Sequence, residues 1–364
     1  MKRLNSKQLN ADKNLSSKRF LQNIKRKDKV YNESKRPKVS KLLGASNIEA
    51  PRNISIYDGD DEQVFYTDTL DFIKNIEKEF KKGHCIIDFT KTESISAAAL
   101  VIIYAAIDVI RSSYSYKGSI RWSSIKSVDK LIKASNLQKL VENKPIKYSF
   151  TPFKPLPIIH GIGSKYLDEI IDYIEGSIYK NEMAPETEYV FGDAVSETIN
   201  NVRLHAYPSE KDDNKSWWLL CQVVDQQLYL AIYDLGVGIP KTVLDKPWFF
   251  SSFEKIYPEE YEQLVKVSPE LKRGGLKLLV PQKLEDSQMI GLSMIGDVTG
   301  TYKSKHGQGS KSIKALVEET DNGKLWIFSN KGLYIFEREA EKPELFKLPR
   351  KISGTLLQWN IHIK

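Results

Sequence analysis

Cysteine and histidine are scarce in this 364-residue chain, at two and five residues. Cys85 sits in "CIIDF" and Cys221 in "LLCQVV", both apolar and strand-like. Both thiols are therefore expected to be small buried core residues, which suits a reducing, cytoplasmic setting. No Cys/His cluster has metal-site spacing, which excludes a zinc-finger or zinc-ribbon scaffold. Long hydrophobic runs are also missing. The longest uncharged apolar stretch, between Glu93 and Asp108, spans 14 residues, short of the ~20 that cross a bilayer. The N-terminus has no apolar core of the kind a secretory signal requires. Acidic residues are nearly absent from residues 1–41, which hold 14 Lys and Arg against 3 Asp and Glu. The chain totals +8, so the basic balance belongs to this segment, and the remainder is slightly acidic.

What is present is an ordinary globular composition, 41% hydrophobic and 28% charged, with enough chain for two domains. Residues 1–45 are expected to form a basic, disordered tail, with one short helix near "KRFLQNIKRK". Such a tail suits nucleic acid or an acidic partner, or is simply solvated. Residues 46–148 read as a small α/β domain. "HCIIDFT" is a buried strand, "SAAALVIIYAAIDVIRSSYSYKG" an apolar helix, "SIRWSS" a strand and "SVDKLIKASNLQKLV" an amphipathic helix. Residues 149–364 read as α+β: a proline-rich linker or edge strand, two helices, a hairpin turning at Gln226–Gln227, an irregular insert over about 241–305, a helix, and further sheet. There, "GKLWIFSNKGLYIFERE" is expected to be a second hairpin and "SGTLLQWNIHI" a closing strand.

Three stretches carry possible chemistry. In "ETINNVRLHAY", Glu197, Asn201 and His205 recur one helical turn apart, at the edge of the stripe Val190, Phe191, Ala194, Val195, Ile199 and Val202. A half-sheltered carboxylate can take a proton, and an amide oxygen can give one ligand to Mg²⁺. By itself the spacing also suits an ordinary amphipathic helix. "DLGVGIP" follows a strand directly. Asp234 at its end can accept from an exocyclic amine, and Gly236 and Gly238 remove Cβ atoms where a flat base would pack. In "HGQGSKSIKAL", Gly307, Gly309 and Ser310 lead into a helix, with Lys305 and Lys311 nearby. Backbone N–H groups and the helix dipole there favour anions.

Taken in this order, the three stretches resemble the N, G1 and G2 boxes of a GHKL ATPase domain, the Bergerat fold of gyrase, MutL and histidine kinases. The N box is most similar to that of anti-sigma-factor serine kinases, and "GTLLQWNI" resembles the family's last strand. The resemblance covers about 150–364. It implies a mixed sheet with helices on one face, ATP and Mg²⁺ as cofactors, Glu197 as general base and Asn201 as the Mg²⁺ ligand. It also implies Asp234 at the adenine amine, Gly236 and Gly238 at the base, Gly307, Gly309, Ser310 and Lys305 at the phosphates, and His205 as a wall residue. Residues 46–148 are more loosely similar to a STAS-like domain, in which Ala97 or Ala98 stands where a phospho-accepting serine would be. The chain departs from the G2 pattern at Ser310–Ser312, and its insert is long for an ATP lid. Within that insert, Trp248, Phe249 and Phe250 suit either a packed lid core or a partner-binding knob. Three functions are compatible: an ATP-dependent regulator of a protein partner, a serine/threonine protein kinase, and a nucleic-acid-associated ATPase anchored by the basic tail. A homodimer is common among such relatives. No histidine lies in a long dimerisation helix upstream, which argues against a sensor histidine kinase.

Overall fold

A computed structural model describes residues 45–57, 64–151, 154–180, 182–267, 273–296, 308–320 and 322–363. The basic segment, apart from Ala45, lies outside the described residues, as do Lys305 and Gly307. The fold is α+β. Its N-terminal part runs β1 (Ser46–Glu49), β2 (Asn53–Ile54), α1 (Val64–Phe80), β3 (Cys85–Asp88), β4 (Ser94–Ile95), α2 (Ala97–Ser113), β5 (Gly118–Arg121), α3 (Lys126–Ala134) and α4 (Leu137–Val141). Strands β1, β3 and β5 form a parallel sheet in that order, and β2 pairs parallel with β4. Ser96 caps α2, its hydroxyl accepting from Ala99 N at 3.3 Å. The expected single C-terminal helix of this part is broken at Asn136, which takes a left-handed φ of 62°.

The C-terminal part continues with β6 (Ile159–Ile162), α5 (Leu167–Tyr173), α6 (Pro185–Asn201), β7 (Ser216–Val224), β8 (Gln227–Asp234), α7 (Ile239–Thr242), α8 (Phe249–Ile256), α9 (Pro258–Val267), α10 (Arg273–Leu276), α11 (Asp286–Ile295), α12 (Gln308–Glu318), β9 (Lys324–Glu337) and β10 (Glu344–His362). The sheet order is β6-β7-β8-β10-β9 and every neighbouring pair is antiparallel. The mixed sheet that the GHKL resemblance implies is therefore corrected to an antiparallel one, as the run of apolar hairpin strands suggests. The β7–β8 turn is Asp225–Gln226, both at positive φ, the conformation that matches the twist of a tight hairpin. "GKLWIFSNKGLYIFERE" is not a hairpin but the single strand β9. Its Asn330-Lys331-Gly332, a turn signal on paper, is instead absorbed by an irregularity in the β9–β10 ladder, with Asn330 at φ 54°.

Both faces of this sheet are covered, where helices on one face were expected. Residues alternate between two cores along each strand. Trp217, Leu219, Cys221, Leu230 and Ile232 face α5, α6, α11 and α12. Trp218, Leu220, Ala231 and Tyr233 face the other way, into a core shared with the N-terminal helices and strands. That arrangement explains α2. Ala98 to Ile107 are buried without exception, because one side meets the N-terminal core and the other meets β7 and β8. Its Asp108 accepts hydrogen bonds from Trp218 Nε1 (3.0 Å) and His160 Nδ1 (2.8 Å). Tyr66 of α1 donates to the Arg350 carbonyl at 2.7 Å, and Asp71 pairs with Arg350. Residues on both sides of position 148 thus contribute to one hydrophobic core. Among the described residues no helix is long and apolar enough to cross a membrane.

Candidate functional site

Pro185 opens α6 at its first helical position, where a missing N–H costs nothing. Val190, Phe191, Ala194, Val195, Ile199 and Val202 are buried against the sheet, so the opposite edge of the helix turns Asp193, Glu197, Asn200 and Asn201 into a cavity of about 910 Å³. The helix ends in a wide π turn, Val202–Ala206, which exposes Arg203 and Leu204 and brings His205 to the same cavity. The sheet side is apolar, from Ile232, Ile327 and Leu357, with Asp234 at the end of β8 and its ladder partner Thr355 within β10. Gly238 and Ile239, with insert residues from Thr242 to Trp248 and from Ser293 to Gly296, close one side, and Gly309 to Ile313 at the start of α12 close another.

Asp234 is 4% exposed. Burial pushes its carboxyl up to about 7, although N–H groups of Gly236 (2.7 Å to Oδ1) and Thr355 favour the charged form. It is held there by Gly354, whose φ of 72° lets the backbone come so close that an added Cβ would sit 1.9 Å from the Asp234 carbonyl oxygen. Ser329 completes the support. Its hydroxyl donates to the Gly354 carbonyl and accepts from Ile239 N, both at 3.0 Å.

Glu197 Oε1 accepts from Asn201 Nδ2 at 3.2 Å. Burial and the neighbouring Asp193 push the Glu197 carboxyl above its ordinary value, against the opposing pull of Asn201 and Lys246. The first turn of α12 lies against it: a Cβ on Gly309 would meet Glu197 Oε1 at 2.0 Å. Thus the structure gathers Glu197, Asn201, His205, Asp234, Gly238, Gly309 and Ser310 around one cavity. Gly236 is not among the lining residues. Its missing Cβ instead makes room for the Ala206 carbonyl, 2.3 Å from where the Cβ would be, and the adjacent Val237 N donates to that carbonyl at 2.8 Å. Gly236 therefore docks the loop on the end of α6.

Trp248 and Phe249 pack with Phe250, Phe253, Leu264, Val280 and Leu292 in a third, separate core within the insert. This decides for a packed insert over an exposed aromatic knob. Lys246, just before them, lines the cavity, and its Nζ lies 2.9 Å from His205 Nε2. Nothing in the sequence marks Lys246, since no repeat or motif spacing singles out "LDKPW". The chain matches no model of a known protein family, and no curated protein matches it.

Proposed function

We propose that this cavity binds ATP with Mg²⁺, and that the protein is an ATP-dependent regulator of GHKL type whose insert changes partner contacts when nucleotide is bound. The observation that carries the reading is the pairing, across one cavity, of a buried strand-end carboxylate with a helix N-terminus. Asp234, above an apolar floor, suits the amine edge of adenine, because an amine N–H donates to a carboxylate that water does not reach. The first turn of the 11-residue α12, with Gly309 at the cavity wall, brings a helix N-terminus to the same space, which favours phosphates. The volume is that of a small-molecule site. The earlier resemblance of the three sequence boxes to a GHKL domain, and of residues 46–148 to a STAS-like one, points the same way.

Among the described residues no group of three or more His, Cys, Asp or Glu side chains could hold a metal. Mg²⁺ keeps most of its waters and rides on phosphates, so it needs few protein ligands. Asn201, with Glu197 beside it, would hold it, and the ion would neutralise phosphate charge. Glu197, raised by burial, is suited to accept a proton from a water or hydroxyl.

A second reading, phosphoryl transfer to a protein hydroxyl, is favoured by an open groove that continues from the cavity past Tyr189, Asp193, Lys311 and Ser312. Incubation with γ-labelled ATP, with and without cell lysate, separates the outcomes. Label on protein marks a kinase, free phosphate an ATPase, and bound but unchanged ATP a sensor. Asn201→Ala is expected to abolish Mg·ATP binding, and Glu197→Ala to spare binding while stopping any turnover. Full turnover in Glu197→Ala rejects its role as base. Adenosine affinity should rise with pH to about 7, the value at which free Asp234 ionises, and level off above it. A flat profile would count against Asp234 as the base reader.

A further inference from the structure

We propose that Lys246 is the residue by which the insert reads nucleotide phosphate, and that His205 holds it in place when no phosphate is there. The inference rests on the nucleotide reading above and adds a residue that no motif marks.

The geometry that supports it begins with the backbone. Lys246 precedes Pro247, and its φ and ψ of −75° and 136° are the extended conformation such a position favours. On one side its N–H donates to the Val243 carbonyl at 3.0 Å, and Val243 is buried in the insert core. On the other, Trp248 and Phe249 are buried in the same core. The Lys246 Cα is thus pinned between two anchors, and the side chain extends into the cavity rather than along the surface. Lys246 belongs wholly to the insert, whereas Glu197, Asn201 and His205 belong to α6, so its Nζ links the two bodies.

Charge makes the same point. Arg203, Lys246 and Lys311 are the cations among the described residues that line the cavity. Arg203 and Lys311 are exposed, and Lys246 is half-buried. Burial lowers the Lys246 amine below its ordinary value, while Glu197 and Asp245 pull it back up. An ammonium sheltered from water needs acceptors. An ammonium can only donate, so the 2.9 Å contact makes His205 Nε2 the acceptor. A neutral imidazole nitrogen is a weaker acceptor for an ammonium than an anionic oxygen. A polyphosphate entering between Asp234 and α12 therefore outcompetes His205 for Lys246. The exchange pulls on the insert directly, through Pro247 and Trp248, which is how occupancy of the cavity would reach the insert core.

The test is calorimetric titration of the full-length protein with adenosine, AMP, ADP and ATP in Mg²⁺ buffer, for wild type, Lys246→Met and Lys246→Arg. Lys246→Met is expected to weaken ATP at least tenfold and leave adenosine within twofold. Lys246→Arg should recover most of the ATP affinity. The unchanged adenosine binding also shows that the variant is folded. Equal weakening of adenosine and ATP makes Lys246 a structural residue and overturns the proposal, as does ATP affinity unchanged in Lys246→Met. Wild-type protein that binds neither adenosine nor ATP overturns the nucleotide reading and this proposal together. Failure of the Lys246 variants alone, with wild type binding normally, leaves the nucleotide reading standing.

Discussion

A carboxyl group pressed into the end of a sheet resists ionisation, and that fixes the sign of what Asp234 does for stability. Its folded value of about 7 lies above the ~3.9 of an unfolded chain. Its stabilising contribution is complete below about pH 4, and is lost as pH rises through 7. Asp234→Asn keeps an acceptor for the Gly236 N–H without the charge. The variant should melt higher than wild type at pH 8, by an amount worth about 1–4 kcal/mol at ~1.4 kcal/mol per pKa unit, and the gap should narrow as pH falls below 7 and close below about pH 4. Thermal melts at the two pH values check it; a gap that widens toward low pH would reject the assignment. Holding a costly charge at a cavity wall is what function demands and stability alone would not select. Gly309 makes a second residue-scale case. The atom that a Cβ there would strike is the end of a flexible side chain, Glu197 Oε1. Gly309→Ala should therefore change the melting temperature little. It should displace the Glu197 carboxylate and cut any phosphate release roughly 10- to 100-fold, the usual cost of misplacing a reacting group by an ångström.

Individual elements differed in how far their sequence announced them. Pro185 and the 3.6-residue stripe marked α6 down to the edge that carries Glu197 and Asn201, because helix periodicity and burial are local facts. The strands β7 and β8 were equally plain as apolar runs. What local pattern could not say is that their continuous hydrophobicity means two buried faces, or that α2 is apolar all round because it is clamped between sheets. Asn330-Lys331-Gly332 looks the same in a turn and in a strand irregularity; only the partner β10 decides. Lys246 was illegible because its place at the cavity depends on contacts between distant elements. Gly236 was legible as a needed glycine, but the neighbour that needs it, Ala206, was not. Asp108 marks another such meeting, where α2, β6 and β7 join. Burial raises its carboxyl, but the hydrogen bonds from His160 and Trp218 outweigh burial and hold it below the ordinary range. A group lowered in this way stabilises above the unfolded carboxylate value and loses that contribution as pH falls through its folded value. Asp108→Asn should destabilise the protein at pH 7 by about 1–3 kcal/mol, the cost of weakening charge-assisted bonds at a buried site. The difference should narrow below about pH 4. Urea melts at pH 7 and in mild acid measure it.

At the scale of the whole molecule, the shared core is the feature with the largest consequence. The sequence pattern suggests a division near residue 148, which makes residues 149–364 alone a natural expression target. The structure gives that fragment an open face once the N-terminal part is removed. Trp218, Leu220, Ala231, Tyr233, Phe328 and Leu356 are each under 5% exposed, in the core that α1 and α2 complete. Burying each such side chain is worth about 1.5–3 kcal/mol, against a total stability of only ~5–15 kcal/mol for a domain. Losing several together exceeds what the remaining fold can supply, and it also creates an apolar patch that promotes association. Residues 149–364 expressed alone should therefore be aggregated or bind a hydrophobic dye strongly, whereas 46–364 should be monodisperse or form a defined oligomer. The longer chain should melt in one cooperative transition, because no boundary separates two independent cores. Calorimetry of 46–364 and size-exclusion chromatography of both chains decide the point. Two resolved transitions, or a well-behaved 149–364 fragment that binds ATP as the long chain does, would show that the face between α2 and the sheet is a separable contact. In that case the N-terminal part could leave the sheet when the insert moves. A single transition means instead that any signal from the cavity travels through the insert, with α2 as fixed support.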